Sequence, residues 1–152
     1  MVSKDFGYWF SGLTDGEGSF GCVLGSRPKH LPQPQFQIRL RADDRPVLEY
    51  IHRTLGIGNL YEYKSITNPQ GYVSKPAVTF MVNKKSDTAK IVELFRQFQL
   101  RSKKKRQFEI WSQIVEIRNS KDWRGRLTAS NKAEFDKAKA LYEKLKSDND
   151  FK

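Results

Sequence analysis

The sequence predicts an α+β fold, an antiparallel sheet covered on one face by helices. Three observations carry that expectation. Apolar residues switch along the chain between helical spacing and strict alternation, the extended segments come in adjacent pairs, and a helical segment separates one pair from the next. The resulting order is α-β-β-α-β-β-α-α-α. There is no internal repeat and no domain-sized linker, so residues 1–152 read as a single domain.

The first helix is expected from Lys4 to Thr14, where Phe6, Trp9, Phe10 and Leu13 fall on one stripe. Gly7, Ser11 and Gly12 lie off that stripe. Such a small-residue face lets another backbone approach closely, although glycine lowers helix propensity. Glycines at 16, 18 and 21 are expected to end the helix and start a strand, Ser19 to Gly25. A proline-rich loop, Ser26 to Pro34, opens into the most informative strand, Gln33 to Arg41. There Gln33, Gln35, Gln37, Arg39 and Arg41 alternate with Phe36, Ile38 and Leu40. Strict period two means one buried face and one carrying only long polar side chains. Val47, Leu48, Ile51 and Leu55 space a second helix that Gly56 ends. A hairpin follows, Asn59 to Lys64 and Lys75 to Val82 around a turn at Asn68-Pro69-Gln70-Gly71. Ile91, Leu94, Phe95 and Phe98 mark the next helix, and Phe108, Trp111, Ile114 and Val115 another. Phe135, Ala138, Leu141, Tyr142 and Leu145 make an amphipathic C-terminal helix, capped near Ser130.

Composition narrows the partner. Lys and Arg number 28 against 17 acidic residues, a formal charge of +11. A surplus of that size on a small domain favours a polyanion, nucleic acid or an anionic membrane. No stretch approaches the roughly 18 consecutive apolar residues of a membrane span. The single cysteine, Cys22, forms no internal disulfide, so an intracellular, reducing compartment is expected. His30 and His52 stand isolated, which leaves a zinc site or a His-Asn-His nuclease centre unsupported. A Gly-Lys-Ser/Thr phosphate loop is absent, which argues against nucleoside triphosphate hydrolysis.

The segment Phe10-Ser11-Gly12-Leu13-Thr14-Asp15-Gly16-Glu17-Gly18 resembles the LAGLIDADG motif, with Gly12, Leu13, Asp15 and Gly18 identical and Glu17 replacing the final acid. The element order around it, and Leu55-Gly56-Ile57-Gly58-Asn59 before the third strand, extend the resemblance over roughly Lys4 to Ile117. The chain is thus similar to the LAGLIDADG homing endonucleases. That resemblance implies an αββαββα core with a saddle-shaped sheet, here with an extra C-terminal helix. It implies a site-specific, metal-dependent double-strand DNA endonuclease, with Mg²⁺ as cofactor. It also implies Glu17 as metal ligand and catalytic carboxylate, with the Gly16 carbonyl beside it. Mg²⁺ keeps several waters, so one carboxylate, a carbonyl and DNA phosphates suffice. A lysine between the two helices after the sheet is expected at the cleavage site. Lys103 aligns there, and Lys104 fits nearly as well. Many family members carry a Gln at the end of the second strand where this chain has Arg41-Ala42-Asp43, so that polar role is missing or passes to Arg41. The motif occurs once, which matches the homodimeric branch, with Gly7, Ser11 and Gly12 as the expected dimer contact.

The Gln/Arg strand suits direct readout, since Gln pairs with adenine and Arg with guanine in the major groove. An ordinary solvated sheet face would normally include acids. Asn59, Tyr61, Tyr63, Lys75 and Thr79 are expected to face outward with that strand, and Lys104 to contact DNA. The cluster Arg101 to Arg106, and beyond it Arg118, Arg124 and Arg126 beside Trp123, would meet phosphates without reading sequence. Two half-sites one helical turn apart imply a target on the order of 20 base pairs. The alternatives on the same fold are an intron RNA maturase or a non-cleaving DNA-binding regulator. A basic ribosome-associated protein would explain the charge but not the motif.

Overall fold

The computed structural model describes residues 2–24, 30–120 and 131–150. The order is α1 (Lys4–Glu17), β1 (Gly18–Val23), β2 (Gln33–Arg41), a 3-10 turn (Ala42–Asp44), α2 (Arg45–Leu55), β3 (Asn59–Tyr63), β4 (Ala77–Val82), α3 (Lys85–Gln97), α4 (Lys104–Ser120) and α5 (Lys132–Asp150). This is the expected α+β succession. The expected cap near Ser130, and Gly25, Trp123, Arg124 and Arg126, lie outside the described residues.

Ser3 opens α1, its hydroxyl accepting a hydrogen bond from the Phe6 amide at 3.1 Å, a cap typically worth about 1 kcal/mol. The helix runs three residues beyond the expected Thr14. Gly16 does not break it, because the Gly18 amide still donates to the Thr14 carbonyl. Only at Gly18 does the backbone turn extended, and helix passes into strand with no intervening loop. Expected turns elsewhere are present. Gly56 and Gly58, at φ 67° and 82°, carry the chain from α2 into β3. A Cβ on Gly58 would lie 2.7 Å from the Phe80 ring, so glycine serves both the dihedral and the packing there. Between β3 and β4, the Asn68 side chain accepts from the Gln70 and Tyr72 amides and shapes the turn.

The sheet is antiparallel throughout, in the order β1-β2-β4-β3. Its register sorts the side chains. Phe20, Phe36, Ile38, Val78, Phe80 and Val82 turn inward and are buried with Phe10, Phe95, Phe108 and Trp111 in one core. Aromatic rings dominate the packing: Phe10 stacks on Phe95 at 5.4 Å between centroids, and Phe20 meets Trp111 at 5.3 Å. The Trp111 indole donates to the Gly21 carbonyl at 3.0 Å and ties α4 to β1. At the end of α5, Asn149 donates to the Phe20 carbonyl. The other face of the sheet carries the row of Gln and Arg.

Candidate functional site

The site grows from the point where α1 becomes β1. Glu17, the last helical residue, is exposed, as is Gly16. Glu17 therefore stands on the helix's final turn, not in a glycine turn beyond it as the sequence suggested. Carbonyls in the last turn have no partner within a helix and carry partial negative charge. The Gly16 carbonyl belongs to that set, so a carboxylate and a backbone oxygen project from one helix end, a donor pair suited to a hard cation.

Two contacts clamp the start of α4 against this end. The Asp15 carboxylate accepts from the Arg101 and Ser102 amides at 2.9–3.1 Å and from the Ser102 hydroxyl at 2.8 Å. Three residues on, the Lys104 ammonium donates to the Gly18 carbonyl at 2.5 Å. Lys104 is thus placed one residue from Glu17, while Lys103 is exposed at the helix start, its carbonyl accepting from Gln107. The sequence alone did not single out Asp15 for this role. Its signal was present, an acid at the helix end ahead of a basic, Ser-containing turn, but the turn lies more than 80 residues away along the chain.

The faces of α1 correct one expectation. Gly7 and Ser11 do not point outward; both are buried within the chain's own fold. A Cβ on Gly7 would overlap the Phe98 ring, and the Ser11 hydroxyl donates to the Phe98 carbonyl at 2.6 Å. The small residues are needed there because the end of α3 crosses α1 at close range. The open face instead carries Tyr8, Gly12 and Gly16. Tyr8 is 63% exposed, and Gly12 and Gly16, one helical turn apart, have nothing within 4 Å of where a Cβ would stand.

On the open sheet face, register sets Ser19, Gln37, Met81 and Asn59 in one row, Arg39, Thr79 and Tyr61 in the next, then Arg41, Ala77 and Tyr63. Gln33, Arg39, Arg41, Asn59, Tyr61 and Tyr63 are exposed, and Gln35 and Gln37 half-buried. Lys75 lies just before β4 and lines a shallow depression of about 190 Å³ together with Arg41 and Asp43. Thr79 departs from expectation. It is on the correct face by register but only 2% exposed, hence not an accessible reader. It sits on an inner strand under long side chains from both neighbours.

Several cations are already engaged. Arg106 pairs with Asp148, Arg96 with Glu116, and Arg45 with Glu49 and Glu62. Arg106 therefore ties α4 to α5 and is no simple extension of a phosphate-binding run. Cys22 shows a different electrostatic effect. Burial pushes its thiol up to about 12, partly opposed by the Arg118 guanidinium, whose own pKa burial lowers. A protonated thiol of this kind is a poor nucleophile. Among the described residues no three His, Cys, Asp or Glu side chains cluster to hold a metal, and no helix is long and apolar enough to cross a membrane.

A Gln- and Arg-lined sheet face, a carboxylate at the helix end that leads into the first strand, and bare glycines on that helix's outer side lie together on an αββαββα fold. Residues 10–115 match the LAGLIDADG endonuclease family, and the chain belongs to it. It is 31% identical over 101 residues to the probable intron-encoded endonuclease Cox1-I1b of Schizosaccharomyces pombe (strain 972 / ATCC 24843). That match takes in 65% of this chain but 24% of the relative, so the chain spans about a quarter of that protein. The fold is shared with the archaeal intron-encoded homing endonuclease I-Vdi141I complexed with DNA, at TM-score 0.73 and 20% identity. That alignment covers 96% of this chain and 86% of that one. It is also shared with I-GzeII in complex with its DNA target, at TM-score 0.66 and 21% identity, covering 97% of this chain and 44% of that one.

Proposed function

We propose that this chain is one subunit of a homodimeric DNA endonuclease that cuts both strands of a long, near-palindromic site with the help of Mg²⁺. The observation that carries this reading is the junction at Gly18. There helix α1 ends in the exposed Glu17, strand β1 begins at Gly18, and the Lys104 ammonium donates to the Gly18 carbonyl, one residue along from the carboxylate. Cleavage chemistry and sequence readout are thereby fixed to one rigid element boundary.

The donor set fits a hard divalent ion that keeps water and phosphate ligands, with Glu17 and the Gly16 carbonyl as the protein's contribution. When bound, such an ion activates water and offsets charge on the leaving oxygen. The chain's own residues do the rest. Asp15 fixes the turn before α4, and Lys104 holds a positive charge at the Gly18 carbonyl, one residue past Glu17, where a phosphate would arrive. Lys103, exposed one residue earlier, reaches a neighbouring phosphate. The Gln and Arg side chains of β2, with Asn59 and Tyr61, meet base edges in the major groove, and Tyr63 lies under the Arg39 guanidinium. Each chain supplies one carboxylate, so cutting two strands requires a second α1. The bare Gly12–Gly16 face lets a symmetry-related helix approach closely.

The test is Mg²⁺-dependent cleavage of a randomised duplex library, with Glu17→Gln in parallel and the cut ends sequenced. Ends flanking a long pseudo-palindrome, absent with the variant, are the expected result. Selective enrichment without cutting would replace the endonuclease reading with that of a DNA-binding regulator. No selection of DNA at all would turn attention to RNA.

A further inference from the structure

β4 separates β2 from β3, so side chains of those two strands meet on the open face only by crossing it. The residues that β4 presents along that crossing are small, Ala77 and Thr79. Arg39 reaches diagonally across them, its guanidinium carbon 4.4 Å from the centre of the Tyr63 ring. Two strand spacings amount to about 9.6 Å, more than either side chain spans alone, so the arginine and the tyrosine lean toward each other over β4. The crossing also explains why Ala77 and Thr79 are buried on a face whose flanking residues are exposed. Among the described residues no carboxylate pairs with Arg39, whereas Arg41 has Asp43 at 3.8 Å. A guanidinium stacked on a ring engages its π face and leaves the in-plane N–H donors free.

Register places this pair along the site. Gly18, next to Glu17, lies opposite Ile38, whereas Gln33 lies opposite Val23 at the far end of β1. Arg39 is therefore at the cleavage end of the reading strand, and Gln35 and Gln33 are distal. Resting on the endonuclease reading, we infer that Arg39 and Tyr63 act as one specificity unit. Tyr63 is the positioning residue that presents the Arg39 guanidinium to a single guanine in each half-site, closer to the cut than the bases met by Gln35 and Gln33.

The experiment is selection of bound and cut sequences from a randomised duplex library by the wild-type chain, Arg39→Ala, Tyr63→Ala, Tyr63→Phe and the Arg39/Tyr63 double alanine variant. Both Arg39 and Tyr63 are exposed, so the fold is expected to survive each change. Arg39→Ala should erase a guanine preference of roughly tenfold or more at one cut-proximal position per half-site. Tyr63→Ala should weaken the preference at that same position. Tyr63→Phe should retain it, because the stack needs the ring and not the hydroxyl, and the double variant should be no worse than Arg39→Ala. Three results would overturn the inference while leaving the endonuclease reading intact: a change at a different base with Tyr63→Ala, equal damage from Phe and Ala, or no guanine dependence on Arg39. Failure of the wild-type chain to select DNA would overturn both.

Discussion

Replacing Glu17 by Gln keeps the side chain's shape and removes one negative charge at the end of α1. Cleavage is expected to vanish while DNA binding persists, because a metal ligand contributes little to affinity for a polyanion; paired cleavage and gel-shift assays check this. Loss of binding along with cutting would show that Glu17 holds the interface together and not the ion. Of the two lysines at the start of α4, Lys103 and Lys104, the second has its ammonium on the Gly18 carbonyl. Lys104→Met should therefore slow single-turnover cleavage by about 10²-fold or more, with Lys103→Met costing far less. Equal losses would make both residues phosphate contacts. Cys22 offers a pH prediction. Its thiol is raised from 9.0 to about 12 in the folded chain, so folding favours the protonated form. That contribution is complete below pH 9 and is lost as pH rises from 9 toward 12. Wild-type stability should fall more steeply over that window than that of Cys22→Ala, as followed by denaturant unfolding at each pH.

At the scale of the element, α1 has three faces with three tasks. Phe6 and Phe10 enter the aromatic core, Gly7 and Ser11 receive the end of α3, and Tyr8, Gly12 and Gly16 remain open. Substitutions on two of these faces should separate cleanly. Gly7→Ala forces a methyl group into the Phe98 ring, a well-buried neighbour, and should destabilise the protomer by roughly 1–3 kcal/mol in chemical denaturation. A Cβ on the exposed Gly12 meets nothing within 4 Å, so the stability of Gly12→Leu should hold while assembly fails. Sedimentation in the presence and absence of target DNA distinguishes a lost dimer from a merely slower enzyme. The helical stripe of α1 was legible in sequence because period 3.6 is a local property. The division of its small residues was not. Which glycine faces α3 and which faces solvent depends on where Phe98 arrives, and nothing near Gly7 in the sequence encodes that.

For the molecule as a whole, the positive surplus predicts binding to DNA that weakens steeply with salt, as counterions released on complex formation are returned to the duplex. A log–log plot of affinity against salt concentration should have a strongly negative slope, and a flat one would exclude phosphate neutralisation as the main source of affinity. The sequence by itself determined the α+β class, the order of elements and the polar face of β2. It also marked the motif that carries Glu17, because alternation, helical spacing and a short motif are all properties of contiguous residues. Tertiary structure alone decided that α1 continues to Glu17, that Asp15 and Lys104 bind the start of α4 to the motif, and that Gly7 and Ser11 belong to the interior. It also decided that Thr79 is covered while Arg39 rests on Tyr63. Each of these depends on chain segments distant in sequence meeting through packing and strand register, and a side chain's accessibility is set by those neighbours and not by its position in a local pattern.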